Sequence, residues 1–203
     1  MNSIQQIKQL LQQHSWVNDC IIRIQQDQLW ALVELSTSGI SVFREQGRKS
    51  VVNQLCSDFE SVAIPWVWRF VEKLPQQQDF DVFIDSFSPI LTPSWTNYTS
   101  QDNVYLLSGK VPLDLHYFEG HFAHFPLVPG VIELQWVNEQ ITRLFDFKRN
   151  ILRIDNLKFQ KFLRPNDEML LTLKWEATKN RIAFQLKTEG EMCASGLIVF
   201  ADE

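Results

Sequence analysis

The reading of this chain turns on LHYFEGHFAHFPLVPGVIELQ, residues 115–135. It holds three of the chain's four histidines, His116, His121 and His124, and runs through Pro126 and Pro129 into Gly130 and an apolar, helix-permissive run. Each proline fixes its own φ and pushes the residue before it toward extended geometry, so residues 121–129 are expected to form an ordered non-helical loop. Gly130 is expected to open a helix. A helix start has N–H groups without partners inside the helix, and such groups suit a carbonyl oxygen that gains negative charge during a reaction. An imidazole one short loop away from such a start is a workable acid–base arrangement. A histidine among aromatics usually has no chemical task, and His116 and His124 are read as structural.

Gly120-His121-Phe122, Pro126 and Pro129-Gly130-Val131 resemble the active-site segment of the hot-dog-fold (3R)-hydroxyacyl-carrier-protein dehydratases of FabA/FabZ type, G-H-F-P-x-x-P-x-x-P-G-V. The resemblance is nearest to the ApeI-like dehydratases of aryl polyene clusters. It implies that His121 is catalytic, that the Gly130 N–H binds an oxyanion, and that position 135 is the catalytic partner. Phe122, Pro129 and Val131 are the substrate-binding candidates beside them. Two departures stand out. Ala123 occupies the position of a family proline, and position 135 is Gln rather than Glu or Asp. Gln135 can hold a water or hydroxyl by hydrogen bonding but cannot exchange a proton near neutral pH. Glu133 is the nearest carboxylate, yet two residues along a helix turn it by about 200° onto another face.

Composition bounds the rest. With 203 residues, 45% of them hydrophobic, and seven Trp, the chain can bury a substantial core. A net charge of −5 with no Lys/Arg run argues against a nucleic-acid surface. Lys158, Lys161 and Arg164 are the candidate basic patch for a carrier protein, with a solvated strand face as the plainer reading. Cys20, Cys56 and Cys193 lack ligand spacing and read as buried structural thiols. No zinc spacing and no glycine-rich phosphate loop occurs, so no metal and no cofactor is implied. No apolar run reaches the roughly 18 residues of a membrane span, and the N-terminus lacks a signal-like apolar segment; a cytoplasmic protein is expected.

In chain order, residues 4–13 carry helical apolar spacing, and 17–24 and 29–35 read as a β-hairpin. Ser36-Thr-Ser-Gly39 reads as a break, residues 49–59 as a helix and 65–71 as a third strand. Residues 81–87 read as a weak strand, 89–103 as loop or edge structure, and 104–112 as a strand. Residues 131–145 form a helix with so wide an apolar surface that a sheet should enclose most of it. Residues 146–150 read as a break, and residues 152–162, 169–177, 181–188 and 192–201 as strands. The fold class is α+β, with domains at 1–80 and 81–203 and the polar Gln76-Gln-Gln-Asp79 as linker.

The first domain, with Leu29-Trp-Ala-Leu-Val-Glu-Leu35, a helix, and Ile64-Pro-Trp-Val-Trp-Arg-Phe-Val-Glu-Lys-Leu-Pro75, resembles the small C-terminal subdomain of acyl-adenylate-forming ligases. The adenylating Gly-Lys pair of that family has no counterpart after Pro75, so the segment reads as a remnant used for docking or packing. The second domain, by its resemblance, implies a dehydratase acting on a 3-hydroxyacyl chain carried by an acyl carrier protein, in fatty acid or aryl polyene synthesis. A homodimer or larger homo-oligomer follows, with each site drawing on two chains. Because of Gln135, a non-catalytic acyl-binding or dimerisation module stands as the alternative, and other thioester chemistry such as a thioesterase as a third.

Overall fold

A computed structural model of the chain describes residues 4–57, 59, 67–77, 79–120, 122–145 and 150–201. His121 lies outside them, as do Pro65, Trp66 and most of the 146–150 segment. The chain folds into two compact units, residues 1–91 with 112–126, and residues 92–111 with 127–203. The composition-based boundary at 80/81 falls instead inside a helix of the first unit.

In the first unit, helix α1 (Ile4–Gln13) buries Ile7 and Leu11. Strands β1 (Val17–Gln25) and β2 (Gln28–Leu35) pair antiparallel across Gln26 and Asp27, whose φ values of 49° and 59° make the left-handed two-residue turn that suits strand twist. Helix α2 (Thr37–Ser57) then crosses over, so that β3 (Val67–Val71) can pair parallel to β2 from Trp30↔Val67 to Glu34↔Val71. Strand β2 ends at Leu35, where Ser36 breaks the pattern, but the helix begins at Thr37 rather than near residue 49. Ser36 Oγ accepts the Gly39 N–H at 3.2 Å and donates to Ser15 O at 2.8 Å, which makes it the cap of α2. The helical path is interrupted only at Gly47, with φ 80° and ψ 170°.

Residues 81–87 form no strand. Helix α3 (Phe80–Asp85) starts there because Asp79 Oδ1 accepts the Val82 N–H at 2.9 Å. Helical spacing also sets Phe83 against Phe87, ring centroids 5.1 Å apart, in a cluster with Leu32 and Leu74. A local cap and tertiary burial together override the β-like composition.

The second unit is an antiparallel sheet with one long helix. Strands β4 (Ser94–Gln101) and β5 (Val104–Lys110) form a hairpin over Asp102 and Asn103, both at positive φ. Helix α4 (Gly130–Leu144) precedes β6 (Ile151–Phe159), β7 (Glu168–Glu176), β8 (Arg181–Thr188) and β9 (Glu191–Phe200). The sheet order is β4-β5-β7-β8-β9-β6. Alternation is strict where one face is covered: Met169, Leu171 and Leu173, and Ile182, Phe184 and Leu186, are buried. The helix is less enclosed than its composition implies. Trp136, Val137 and Ile141 are buried, whereas Val131 is 70% exposed and Gln135 and Asn138 lie on the same open side.

Asp79→Ala should lower stability by about 1 kcal/mol, read as a lower denaturation midpoint by circular dichroism, while Asp79→Ser, which keeps an acceptor at that position, should largely preserve it.

Candidate active site

The histidine loop is built by tight turns. His116–Phe118 is one turn of 3-10 helix, and the His116 N–H is held by Ile90 O at 2.9 Å. Beyond it the Ala123 N–H reaches Gly120 O at 3.2 Å and the Phe125 N–H reaches Phe122 O at 3.0 Å. Gly120 sits at φ 117°, and a Cβ there would meet nothing within 4 Å. Glycine is therefore required by the backbone and not by space. His121 follows it in the chain and lies outside the described residues. Phe122 and Phe125 are 41% and 50% exposed, while Phe118 is buried. His116 and His124 are exposed.

The loop's root is a buried ion cluster. Asp114 is 4% exposed; its Oδ1 accepts Arg48 Nε at 3.2 Å, and its Oδ2 accepts the Phe70 N–H at 3.1 Å with Arg69 Nη1 at 3.5 Å. Arg69 Nη1 also donates to Asp114 O at 3.0 Å. Burial raises the pKa of this carboxyl, and Arg48, Arg69 and the Phe70 N–H pull it down. Both oxygens accept hydrogen bonds, the arrangement of the ionised form. Sequence reasoning missed this cluster because its members lie 45 and 66 residues apart and carry no local pattern.

In the second unit, Gly130 opens α4 after Pro129, whose φ of −60° and ψ of 138° are extended. Pro129 O accepts the N–H groups of Ile132 and Glu133, which leaves those of Gly130 and Val131 outside the helix's own bonds. A Cβ at Gly130 would stand 2.7 Å from the Phe159 ring, so the glycine also admits that ring. Gln135 is exposed and donates from Nε2 to Glu139 Oε1 at 2.9 Å, one turn on.

Glu133 faces the other way, as the helical rotation requires. It is 2% exposed, its Oε2 has no partner among the described residues, and burial pushes its pKa up to about 8 against one backbone hydrogen bond from Leu163. It keeps its proton at neutral pH inside the core. Sequence spacing separates Glu133 from Gln135 but does not say which of them is buried.

Cys20 and Cys193 are buried free thiols pushed up to about 12 by burial. Cys56 is half-buried, with its pKa also raised by burial. Lys161 is paired with Glu189 at 2.9 Å and with Glu191, so it is not a bare cation for a carrier protein. Among the described residues no group of three or more His, Cys, Asp or Glu is placed to hold a metal ion, and no helix is long and apolar enough to cross a membrane.

Residues 97–197 match the family model described as ApeI-like, ApeI dehydratase. The 3-hydroxyacyl-[acyl-carrier-protein] dehydratase FabZ of Streptococcus suis is 26% identical over 124 residues, covering 56% of this chain and 87% of that protein. FabZ of Streptococcus mutans is 27% identical over 123 residues, with the same coverage. Among solved structures, the dehydratase heterocomplex ApeI:P from Xenorhabdus doucetiae aligns with a TM-score of 0.51 at 24% identity, over 55% of this chain and 99% of that one, a likeness of fold. The antiparallel sheet with its single long helix is a hot-dog fold. Through residues 97–197 the chain belongs to the hot-dog dehydratase family.

Glu133 makes the protein pH-sensitive in a stated direction. Between an ordinary carboxyl value of 4.5 and about 8 the folded chain holds a proton that the unfolded chain has lost, so stability should fall as pH rises through that window. Glu133→Gln should remove this slope, with denaturation midpoints similar to the parent at pH 5 and higher at pH 8 by on the order of 2 kcal/mol.

Proposed function

We propose that the protein eliminates water from a 3-hydroxyacyl thioester delivered by an acyl carrier protein, with His121, Gly130 and Gln135 as its catalytic groups. The observation that carries this is the presence of two features within the family-matched segment: a glycine at positive φ, Gly120, directly before His121 in the chain, and a Pro129-Gly130 helix start whose first two N–H groups lie outside the helix's own bonds. Phe122, Pro129 and Val131 are the side chains proposed to flank the acyl chain; Phe122 and Val131 are exposed.

In this reading His121 takes a proton from the carbon next to the thioester carbonyl. Negative charge moves onto the carbonyl oxygen, where the Gly130 N–H meets it. The bond from C3 to its hydroxyl then breaks, and the leaving hydroxide must take up a proton to depart as water. A carboxylic acid at position 135 could supply that proton. Gln135 can only orient the hydroxyl, so the proton returns from protonated His121 or comes from water. Losing one acid–base partner costs roughly 10² to 10⁴ in rate, so turnover is slow.

Carrier-protein delivery is supported by the carrier-protein substrates printed in the names of the FabZ relatives. A homo-oligomer is supported by edge strand β6, which leaves Ile151, Leu152, Leu157 and Phe159 between 38% and 61% exposed. Fatty acid and aryl polyene intermediates are the two substrate classes in view, and a cytoplasmic setting goes with both. Residues 1–80 are proposed as a ligase-like remnant without adenylating chemistry. The second reading, an acyl-binding or dimerisation module, is favoured by one observation: the Gln135 amide is engaged by Glu139.

Gln135→Glu should raise hydration of an enoyl thioester at least tenfold over the parent. The new carboxyl would face Glu139 one turn away, and a like charge there raises a pKa, which suits a proton donor. His121→Ala should abolish activity in both backgrounds. Activity indifferent to His121, or none in any variant together with tight acyl-carrier binding, would leave the module reading standing.

A further inference from the structure

We propose that the first unit is a positioning device for the catalytic histidine: Gly47 and Arg48 at the interruption of α2, with Arg69 of β3, hold the backbone on both sides of His121. The inference rests on the reading of His121 as the acid–base group. It gives the N-terminal unit a task in the reaction beyond docking or packing.

The anchor before His121 is Asp114. Three donors from this unit converge on its side chain, Arg48 Nε at 3.2 Å, the Phe70 N–H at 3.1 Å and Arg69 Nη1 at 3.5 Å. Arg48 also stands 3.9 Å from the carboxylate of Glu119, two residues before His121. Arg69 is itself fixed, because its Nη2 donates to Phe87 O at 3.0 Å and to Ser88 O at 2.9 Å. The planar guanidinium thus ties three backbone carbonyls and one carboxylate together, a task a lysine could not perform.

The support after His121 is backbone against backbone. A Cβ built on Gly47 would lie 1.7 Å from Ala123 O and 3.6 Å from His124 Cα. Only a residue without a side chain lets α2 approach the loop so closely, and Gly47 also adopts a φ of 80° that breaks the helix there. Interrupting a helix of 21 residues forgoes backbone hydrogen bonds. The interruption puts Gly47 under Ala123 and aims the next side chain, Arg48, at Asp114 and Glu119. One dipeptide therefore bears on the loop two residues before and two residues after His121. General acid–base catalysis is steep in geometry, and a misplacement of about 1 Å can cost roughly 10²-fold.

The test compares Gly47→Ala, Arg48→Lys and Asp114→Asn with Ile7→Val, a mild core truncation in α1 away from the loop. Two measurements are made on the full chain: steady-state hydration of an enoyl thioester at 25 °C, and amide hydrogen exchange by mass spectrometry. Gly47→Ala and Asp114→Asn should lower kcat at least tenfold with KM changed less than threefold, and should speed exchange over residues 115–125 while β7 to β9 stay protected. Arg48→Lys, which keeps the charge and loses the fork, should fall between them and the parent. Ile7→Val should lower the melting temperature and leave kcat alone. Loss of kcat in proportion to melting temperature in all four variants would overturn the proposal, as would unchanged exchange over the loop. A parent without hydration activity would count against the dehydratase reading; the exchange pattern would still decide whether the loop is held from α2 and β3. Should Gly47→Ala fail to fold, Arg48→Lys and Asp114→Asn decide the outcome.

Discussion

A carboxylate almost without solvent, Asp114, is held between two guanidiniums, and much of the first unit's arrangement depends on that. Taking such a charge out of water costs several kcal/mol unless opposite charge and hydrogen bonds replace the lost hydration. Arg48, Arg69 and the Phe70 N–H supply them, from a helix, a strand and its backbone. Residues 112–126 therefore pack with the first unit, although in the chain they connect β5 to α4 of the second. The family-matched stretch 97–197 draws on both units, and the proposed catalytic loop belongs to the unit that composition would have assigned to a separate domain.

Helix α4 shows how one rotation decides which groups can do chemistry. Glu133 and Gln135 are two residues apart, on faces separated by about 200°. The carboxyl that could move a proton is buried and held protonated, whereas the amide that cannot is the one left accessible and bonded to Glu139. Glu133 is thus no substitute for an acid at position 135. Glu133 therefore does not fill the chemical gap visible in the motif, and in the proposed reaction that gap sets the rate expected.

Much of the architecture was legible from local pattern. The hairpin over Gln26 and Asp27, α1, β5, α4 and the alternating strands β7 and β8 all lie where apolar periodicity and turn residues put them. The misreadings share a cause. The helix after the Ser36 break starts at Thr37 rather than near residue 49 because the Ser36 hydroxyl caps it, and residues 81–87 are helical rather than a strand because Asp79 caps a helix and Phe83 finds Phe87 and Leu32. In both places a single side-chain oxygen accepting a backbone N–H outweighs composition, and the same residue types serve equally well in turns.

By itself the sequence determined the α+β class, the antiparallel run of strands after one apolar helix, and the residue types of the proposed site, including the amide at position 135. Periodicity of two or 3.6 residues and the fixed φ of proline are local physics, and they can be read without knowing what lies opposite. Only the tertiary structure decided that Gly47 must be a glycine, that Arg48 and Arg69 share one buried carboxylate, and that Glu133 rather than Gln135 enters the core. Those outcomes depend on what is removed from water beside what, across gaps of 45 and 66 residues in the case of Asp114, and no local pattern carries that information.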